Sequence, residues 1–433
     1  MKQDHHVWNS YAALLRREVA PALGCTEPIA VALAAARAAA QLGKTPKLIE
    51  ANLSRNILKN GMSVGIPGTG LYGLEIAAAV GAVAGDYKKG LEVLSGISAE
   101  ALTRAKELCA GGSVKIKQRQ SPYNLYIEVR VSNGQDTSTV IIQHEHTNIA
   151  YVGHNGMVIL DRRQDDNESG VGAANGIDKG LTEKAIWDFA MNVPLEKIAF
   201  LMETARLNTA VSEKGLQDAY GLEVGRSLED DIKNGLIADD ILNRAVKRTA
   251  GAIDARMAGC LLPVMSNSGS GNQGITATMP IVSMAKDLEL DQEHLNRALA
   301  LSHLTTIHMK SSLGRLSALC GATLAATGAA CGFVYLLGGG YPEVERAIQN
   351  MAGNVAGIIC DGAKSSCALK VASSVHAAGQ AALLAMKGRS VSSIEGIVAG
   401  NVEQTIQNIG RLGSVGMKET DKLILEMMLD KNE

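Results

Sequence analysis

From Leu316 to Tyr341 the chain carries no charged residue, and an uncharged run of that length has two homes, a lipid bilayer or the interior of a large helical protein. Its makeup separates them. Ala, Gly, Ser, Thr and Cys dominate the run, and strongly lipophilic side chains are few. Insertion into a bilayer is driven by Leu, Ile, Phe and Val, whereas small residues suit a helix that other helices touch on every side. The expectation is a crowded helical interior and no membrane span.

Packing elsewhere has to follow the same rule. Aromatic residues make up 3% of the 433-residue chain while glycines number 46, so closely approaching backbones replace large rings. With 46% hydrophobic and 20% charged residues the chain is globular, and its length favours more than one domain. Its formal charge of -2, from 42 basic and 44 acidic residues, offers no footprint for a polyanion, which excludes nucleic acid as a partner. Charges scattered through MKQDHHVWNSYAALLRREVA leave no apolar stretch for a signal peptide, so a cytoplasmic location is expected. In that reducing setting the seven cysteines, an odd number, are core filler, metal ligands or reactive thiols rather than a disulfide framework.

Local patterns divide the chain. Helical spacing runs from Tyr11 to about Ala40, broken by Pro21, Gly24 and Pro28, with Thr26 placed to cap a second helix and Cys25 just ahead of it. SVKIKQ, NLYIEVRVS, TSTVIIQHEH and NIAYVGHNGMVILD alternate or run in β-branched residues, with HNG as a hairpin turn. DRRQDDNESG, from Asp161 to Gly170, reads as a surface connection, and from Lys179 onward the pattern is helix after helix. The fold class is α+β, a mostly α-helical domain with a small antiparallel β-sheet domain. The division expected is a helical N-terminal segment over 1–90 packing on the C-terminal domain, the sheet domain over 91–168, and an all-α domain over 169–433.

Four segments bear on chemistry. Cys360 and Cys367 are seven residues apart in IICDGAKSSCALK, a spacing that puts two thiols on one helix face or lets them converge through a glycine loop. Spacing alone leaves ligand and core filler open, whereas Cys109, Cys260 and Cys331 read as small buried hydrophobes. Cys25, at a helix N-terminus, is expected to have a lowered pKa and to serve as base, nucleophile or ligand, with a buried residue beside the cap as the alternative. SNSGSGNQGITATMP sets Ser266, Asn267, Ser268, Gly269, Ser270, Asn272 and Gln273 among glycines, which suits a carboxylate or phosphate unless it is an ordinary turn. In HEHTNI, His144 and His146 fall on the same side of an expected strand as two of the ligands zinc would need, although a solvated histidine is the commoner outcome.

Taken together, PALGCTEP, KNGM followed by GIPGTG, HTNI, DARM, SNSGSGNQGITATMP, RLSALCG and ICDGAKSSCALK resemble the signature segments of the L-cysteine desulfidases. That family is distantly similar to the iron-sulfur L-serine dehydratases. The resemblance runs in order from residue 21 to residue 370. It implies a 4Fe-4S cluster held by Cys320, Cys360 and Cys367 with one iron left open, and Cys25 as a base or a movable fourth ligand. It also implies β-elimination of L-cysteine to pyruvate, ammonia and hydrogen sulfide, with His146, Lys59, Asn60 and the Ser266–Gly274 loop holding the amino acid. The chain has Glu145 where the family pattern has Gly before HTNI, which removes His144 from the set. Three rivals stand beside this expectation: L-serine dehydratase-type deamination, a pyridoxal-phosphate lyase using SGSGNQG for phosphate, and a non-enzymatic iron-sulfur sensor. The expected partner is a small amino acid, and the Ala/Gly helices suit a homo-oligomer.

Overall fold

A computed structural model describes residues 2–123, 125–163, 181–314 and 317–432. Most of the expected surface connection over 161–170, and Leu316 at the head of the uncharged run, lie outside them. The first part of the chain runs α1 (Lys2–Glu18), β1 (Pro21–Ala22), α2 (Thr26–Leu42), β2 (Leu48–Leu53), α3 (Arg55–Gly61), a ribbon of β3 (Gly65–Ile66) and β4 (Leu71–Tyr72), α4 (Leu74–Ala84) and α5 (Ala99–Ala110). Five strands follow: β5 (Val114–Gln118), β6 (Tyr126–Ser132), β7 (Thr137–Gln143), β8 (Ile149–His154) and β9 (Met157–Asp161). The four β-rich segments of the sequence thus form strands. The β8–β9 turn falls on Asn155 and Gly156, both with positive φ, as a two-residue hairpin requires.

The fold class is α+β, but the sheet is mixed rather than antiparallel. Its order is β5-β2-β6-β7-β8-β9, with β2 parallel to β5 and antiparallel to β6. LIEANL turns Ile49, Ala51 and Leu53 inward in strict alternation, yet six residues that pair with strands more than sixty positions away give little local sign of a sheet. Helices α2 and α4 cover the inner face and pack backbone to backbone. A Cβ on Gly81 would lie 2.4 Å from the Ala32 carbonyl oxygen.

The remaining elements are helical apart from β10: α6 (Glu183–Asn192), α7 (Leu195–Ile198), α8 (Met202–Gln217), α9 (Val224–Lys233), α10 (Ile241–Met257), β10 (Val264–Met265), α11 (Gly271–Asp287), α12 (Gln292–Leu313), α13 (Gly321–Leu336), α14 (Tyr341–Val355), α15 (Cys367–Met386), α16 (Val402–Arg411) and α17 (Lys418–Leu429). The uncharged run becomes α13, enclosed by α11, α12, α14 and α15. Small residues make that enclosure possible, since a Cβ on Gly328 would meet the Ser302 carbonyl oxygen at 2.3 Å. Among the described residues no helix is long and apolar enough to cross a membrane.

Two buried clusters of apolar side chains result. Residues from α2 through β9, Val64 excepted, form one, the sheet core. α1 joins the other, the helical core, where Tyr11 meets Phe189 of α6 edge to face at 5.6 Å. β1 goes with it by pairing with β10. α17 crosses back, burying Leu425 in the sheet core. The reason is non-local pairing, which outweighs adjacency in the chain for these short elements.

Candidate active site

The two cores meet around a cavity of about 110 Å³. The segment from Cys25 through α3 supplies Cys25, itself packed in the helical core, with Thr26, Glu27 and Asn60, and the later helices supply Arg256, Ser270, Asn272, Gln273, Cys320, Cys360, Gly362, Cys367 and Lys370 among others. Four helices begin at this wall. Cys25, Ser270 and Cys320 are the N-caps of α2, α11 and α13, and Cys367 is the first residue of α15. Each start carries the positive end of a helix dipole, so the cavity favours thiolates, carboxylates and anionic groups.

Backbone pairing brings the thiols together. Leu319 and Ile359 form an antiparallel bridge, with the Cys320 amide donating to the Ile358 carbonyl at 2.9 Å and the Cys360 amide to that of Ala318 at 2.7 Å. Cys360 therefore lies beside Cys320, and Cys367 returns to the cavity after the turn at Gly362. Cys360 precedes α15 and Cys367 opens it, so the glycine-loop arrangement holds and the shared helix face does not. Gly362 has φ +96, and a Cβ there would sit 2.3 Å from the Lys59 carbonyl oxygen. Only glycine fits this turn.

Burial pushes the Cys320 thiol up to about 12, and the neighbouring Cys360 and Cys367 add to the rise, while the Ala322 amide and Lys370 oppose it. Burial works against the Lys370 charge too, but Asp361 and the thiols of Cys320 and Cys367 outweigh it and hold the ammonium above its ordinary range. Three thiols that feel one another, a lysine beside them and helix N-termini around them match the donor set and charge that an iron-sulfur cluster needs. Among the described residues no three His, Cys, Asp or Glu side chains are placed to hold a single metal ion. A cluster has no such need, because each thiolate binds its own iron.

Across the cavity Cys25 departs from expectation. Its thiol is raised well above the ordinary value, by burial first and then by the Glu27 carboxylate, with Arg256 opposing. The helix dipole loses to these effects. Cys25 Sγ donates to Glu27 Oε2 at 3.2 Å. The capping position belongs to Cys25 and not Thr26, whose hydroxyl donates to Glu27 Oε2 and to the Gly269 carbonyl oxygen, each at 3.2 Å. Asn60 Nδ2 donates to Glu27 Oε1 at 3.1 Å. Burial lifts the Glu27 pKa, but His146, the Cys25 thiol and Asn60 together hold it below the usual carboxylate value.

The other sequence candidates divide between cavity and frame. Ser270, Asn272 and Gln273 line the cavity. Ser266 Oγ donates to the Ala20 carbonyl at 2.7 Å, and Ser268 Oγ to Asn267 Oδ1 at 2.8 Å. Asn267 is tied to His303 at 3.0 Å, a ring kept neutral by burial with its pKa pushed down to about 3. Much of the loop's backbone is engaged as well, since the amides of Ser266, Asn267, Ser268 and Ser270 donate to main-chain carbonyls. Lys59, fully buried, pairs with Asp421 of α17 and donates to the Cys360 carbonyl at 3.3 Å. It braces the thiol loop from behind.

His144 and His146 lie in the turn after β7 and not along a strand, His144 with φ 68. That removes the geometry on which a zinc pair rested. His146 still contributes, through its charge on Glu27. Glu27, Arg256 and Lys370 were missed as individual residues although PALGCTEP, DARM and SSCALK contain them. Arg256 Nη2 donates to the Gly24 carbonyl at 2.7 Å and Nη1 to Asn272 Oδ1 at 2.8 Å, joining the Cys25 turn to the start of α11.

An α+β fold in which one cavity is lined by Cys320, Cys360 and Cys367 and by a cysteine hydrogen-bonded to a buried carboxylate defines the class of protein. Residues 88–426 match the family model of the serine dehydratase alpha chain. A UPF0597 protein of Oleidesulfovibrio alaskensis is 53% identical over 426 residues, covering 98% of each chain. Similar proteins of that name occur in Parabacteroides distasonis, at 48% identity over 97% of each chain, and in Chromobacterium violaceum, at 46% over 99% of each. The chain belongs to the serine dehydratase alpha chain family and to the UPF0597 proteins.

Proposed function

We propose that the protein is a cytoplasmic iron-sulfur lyase that eliminates the β-substituent of L-cysteine, giving pyruvate, ammonia and hydrogen sulfide. The observation that carries this reading is one cavity lined both by Cys320, Cys360 and Cys367 and by the hydrogen-bonded Cys25–Glu27 pair. Cys320, Cys360 and Cys367 would hold a 4Fe-4S cluster, which would supply Lewis acidity for the substrate's carboxylate or leaving sulfur. Everything else falls to the chain. The helix N-termini and Ser270 favour the carboxylate, Cys25 and Glu27 handle the α-proton, and the aminoacrylate released hydrolyses in water.

Pyridoxal phosphate fits less well. Lys370 is the lysine that lines the cavity, and it is already bound to Asp361 and to the Ile359 carbonyl, while Lys59 pairs with Asp421. A Schiff base would have to dismantle one of these pairs. The family match favours L-serine as the second substrate to consider, and the leaving atom distinguishes the two by pocket geometry alone.

Anaerobic reconstitution with iron and sulfide, iron counting, and assay of pyruvate from L-cysteine and L-serine without pyridoxal phosphate tests the reading. Iron-dependent pyruvate with sulfide from L-cysteine supports it. A strong preference for L-serine would move the substrate and keep the chemistry; iron binding without turnover of either would leave a sensor.

A further inference from the structure

The arrangement around Glu27 assigns a role that no motif announces. The residue is 8% exposed, and its carboxylate receives the Cys25 thiol at 3.2 Å on Oε2 and the Asn60 amide at 3.1 Å on Oε1, with the Thr26 hydroxyl sharing its one proton between Oε2 and the Gly269 carbonyl oxygen, each at 3.2 Å. A carboxylate surrounded by donors is being held as an acceptor, which is its ionised form. The thiol facing it holds the proton. A protonated thiol cannot take a proton from carbon until it has lost its own, and the acceptor already hydrogen-bonded to it is Glu27 Oε2.

We infer that Glu27 acts as the proton acceptor behind Cys25, so that Cys25 accepts the substrate's α-proton only as its own proton passes to Glu27. This rests on the β-elimination proposed above. The Cα–H bond breaks and its electron pair becomes the second bond between Cα and Cβ. The β-substituent departs with the pair of the broken Cβ bond. The α-proton arrives on Cys25 Sγ as the thiol's former proton passes to Glu27 Oε2; Cys25 then yields a proton to the departing group as Glu27 returns its own to Sγ. The thiol and the carboxylate are both restored, and no oxidant or reductant enters.

Glu27 is thus a positioning residue that works through Cys25, and its support comes from three directions. Asn60 on α3 fixes one oxygen, Thr26 steadies the other, and His146 in the turn after β7 lies close enough to help hold the Glu27 pKa down. On the far side Arg256 holds the Gly24 carbonyl, which sets the turn that presents Cys25.

The test uses two readouts on the iron-loaded protein that a structural role and a relay role move differently. The first is the rate at which iodoacetamide alkylates Cys25 at pH 8, followed by peptide mass mapping; the second is turnover of L-cysteine. In Glu27→Gln the adjacent negative charge is gone, so the thiol ionises more readily, and alkylation is expected to accelerate by up to about tenfold for each unit of pKa lost. Turnover is expected to fall by about a hundredfold or more because the proton has no acceptor. Glu27→Asp should recover part of the turnover. Faster alkylation with turnover retained would overturn the inference and leave Cys25 as the base alone. Alkylation unchanged or slowed alongside lost turnover would also overturn it and make Glu27 a frame residue. If the parent protein turns over no amino acid, the lyase reading falls by itself, and the alkylation arm still reports whether Glu27 governs the thiol.

Discussion

Cys320 caps the start of α13 and Cys331 lies eleven residues further on, about 16 Å along the same helix, yet the two thiols have opposite surroundings. At the first, Cys360, Cys367 and Lys370 share a cavity with the helix N-termini. At the second, burial raises the thiol well above its ordinary value, the Glu183 carboxyl adds to the rise, and the Thr305 hydroxyl opposes it only in part. Glu183 is itself fully buried, with its pKa pushed up to about 7, chiefly by burial. Burial raises both thiols, but the first shares its surroundings with two further thiols and the Lys370 ammonium, and the second faces a buried carboxyl. Residue type does not decide what a cysteine does here; access and neighbouring donors do.

Removing the cavity-end thiol should produce the largest effect. Cys320→Ser is expected to eliminate stoichiometric iron and detectable turnover after anaerobic reconstitution, because a hydroxyl is a poor replacement for thiolate on iron. Full iron loading in that variant would break the contrast. Next comes the brace. Lys59→Met leaves Asp421 without its buried partner, and urea denaturation should register a loss of about 3 kcal/mol or more, where a cost under about 1 kcal/mol would mean water replaces the pair.

The core end makes a pH prediction. The folded-state pKa of Glu183 lies above the ordinary 4.5, so folding holds its proton more tightly than the unfolded chain does. Stability from that preference is intact below about 4.5 and is lost as pH rises through about 7. Glu183→Gln should therefore gain on the parent between these limits, by up to about 3 kcal/mol at pH 8. Denaturation curves showing an equal difference at pH 4.5 and pH 8 would contradict a buried neutral carboxyl. Lys370→Met should weaken iron retention about tenfold, or ~1.4 kcal/mol, read by chelator competition. The smallest effect belongs to Cys331→Ala, expected to retain iron and turnover and to cost about 1 kcal/mol of stability. Iron loss there would erase the distinction between the ends of the helix.

What could be read in the sequence follows the range of the interactions. The burial of α13 was legible because twenty-six residues without charge state it locally. Four β-rich segments were equally plain, whereas β2 was not, since its partners β5 and β6 lie far along the chain. The site shows the same limit. Cys25, Cys320, Cys360 and Cys367 could be singled out by setting and resemblance, but Glu27 acquires meaning only from Asn60, thirty-three residues away, and from His146, further still. The sign of the Cys25 shift was missed for that reason too. A helix N-terminus is visible in a string of letters, and the burial and adjacent carboxylate that override it are products of the fold.

The pairing of β1 with β10 has a consequence for how the protein is made. Pro21 and Ala22 find their partners at Met265 and Val264, roughly 240 residues later, and ribosomes add about 5–20 residues per second. For about ten seconds to a minute of synthesis, the N-terminal helix and the turn that follows it have nowhere to dock. The sheet core can close meanwhile from α2 to β9. Cys25, seated between the waiting strand and the finished core, is carried into place only when the helical half emerges, so the part of the cavity that it lines is among the last of the molecule to be assembled.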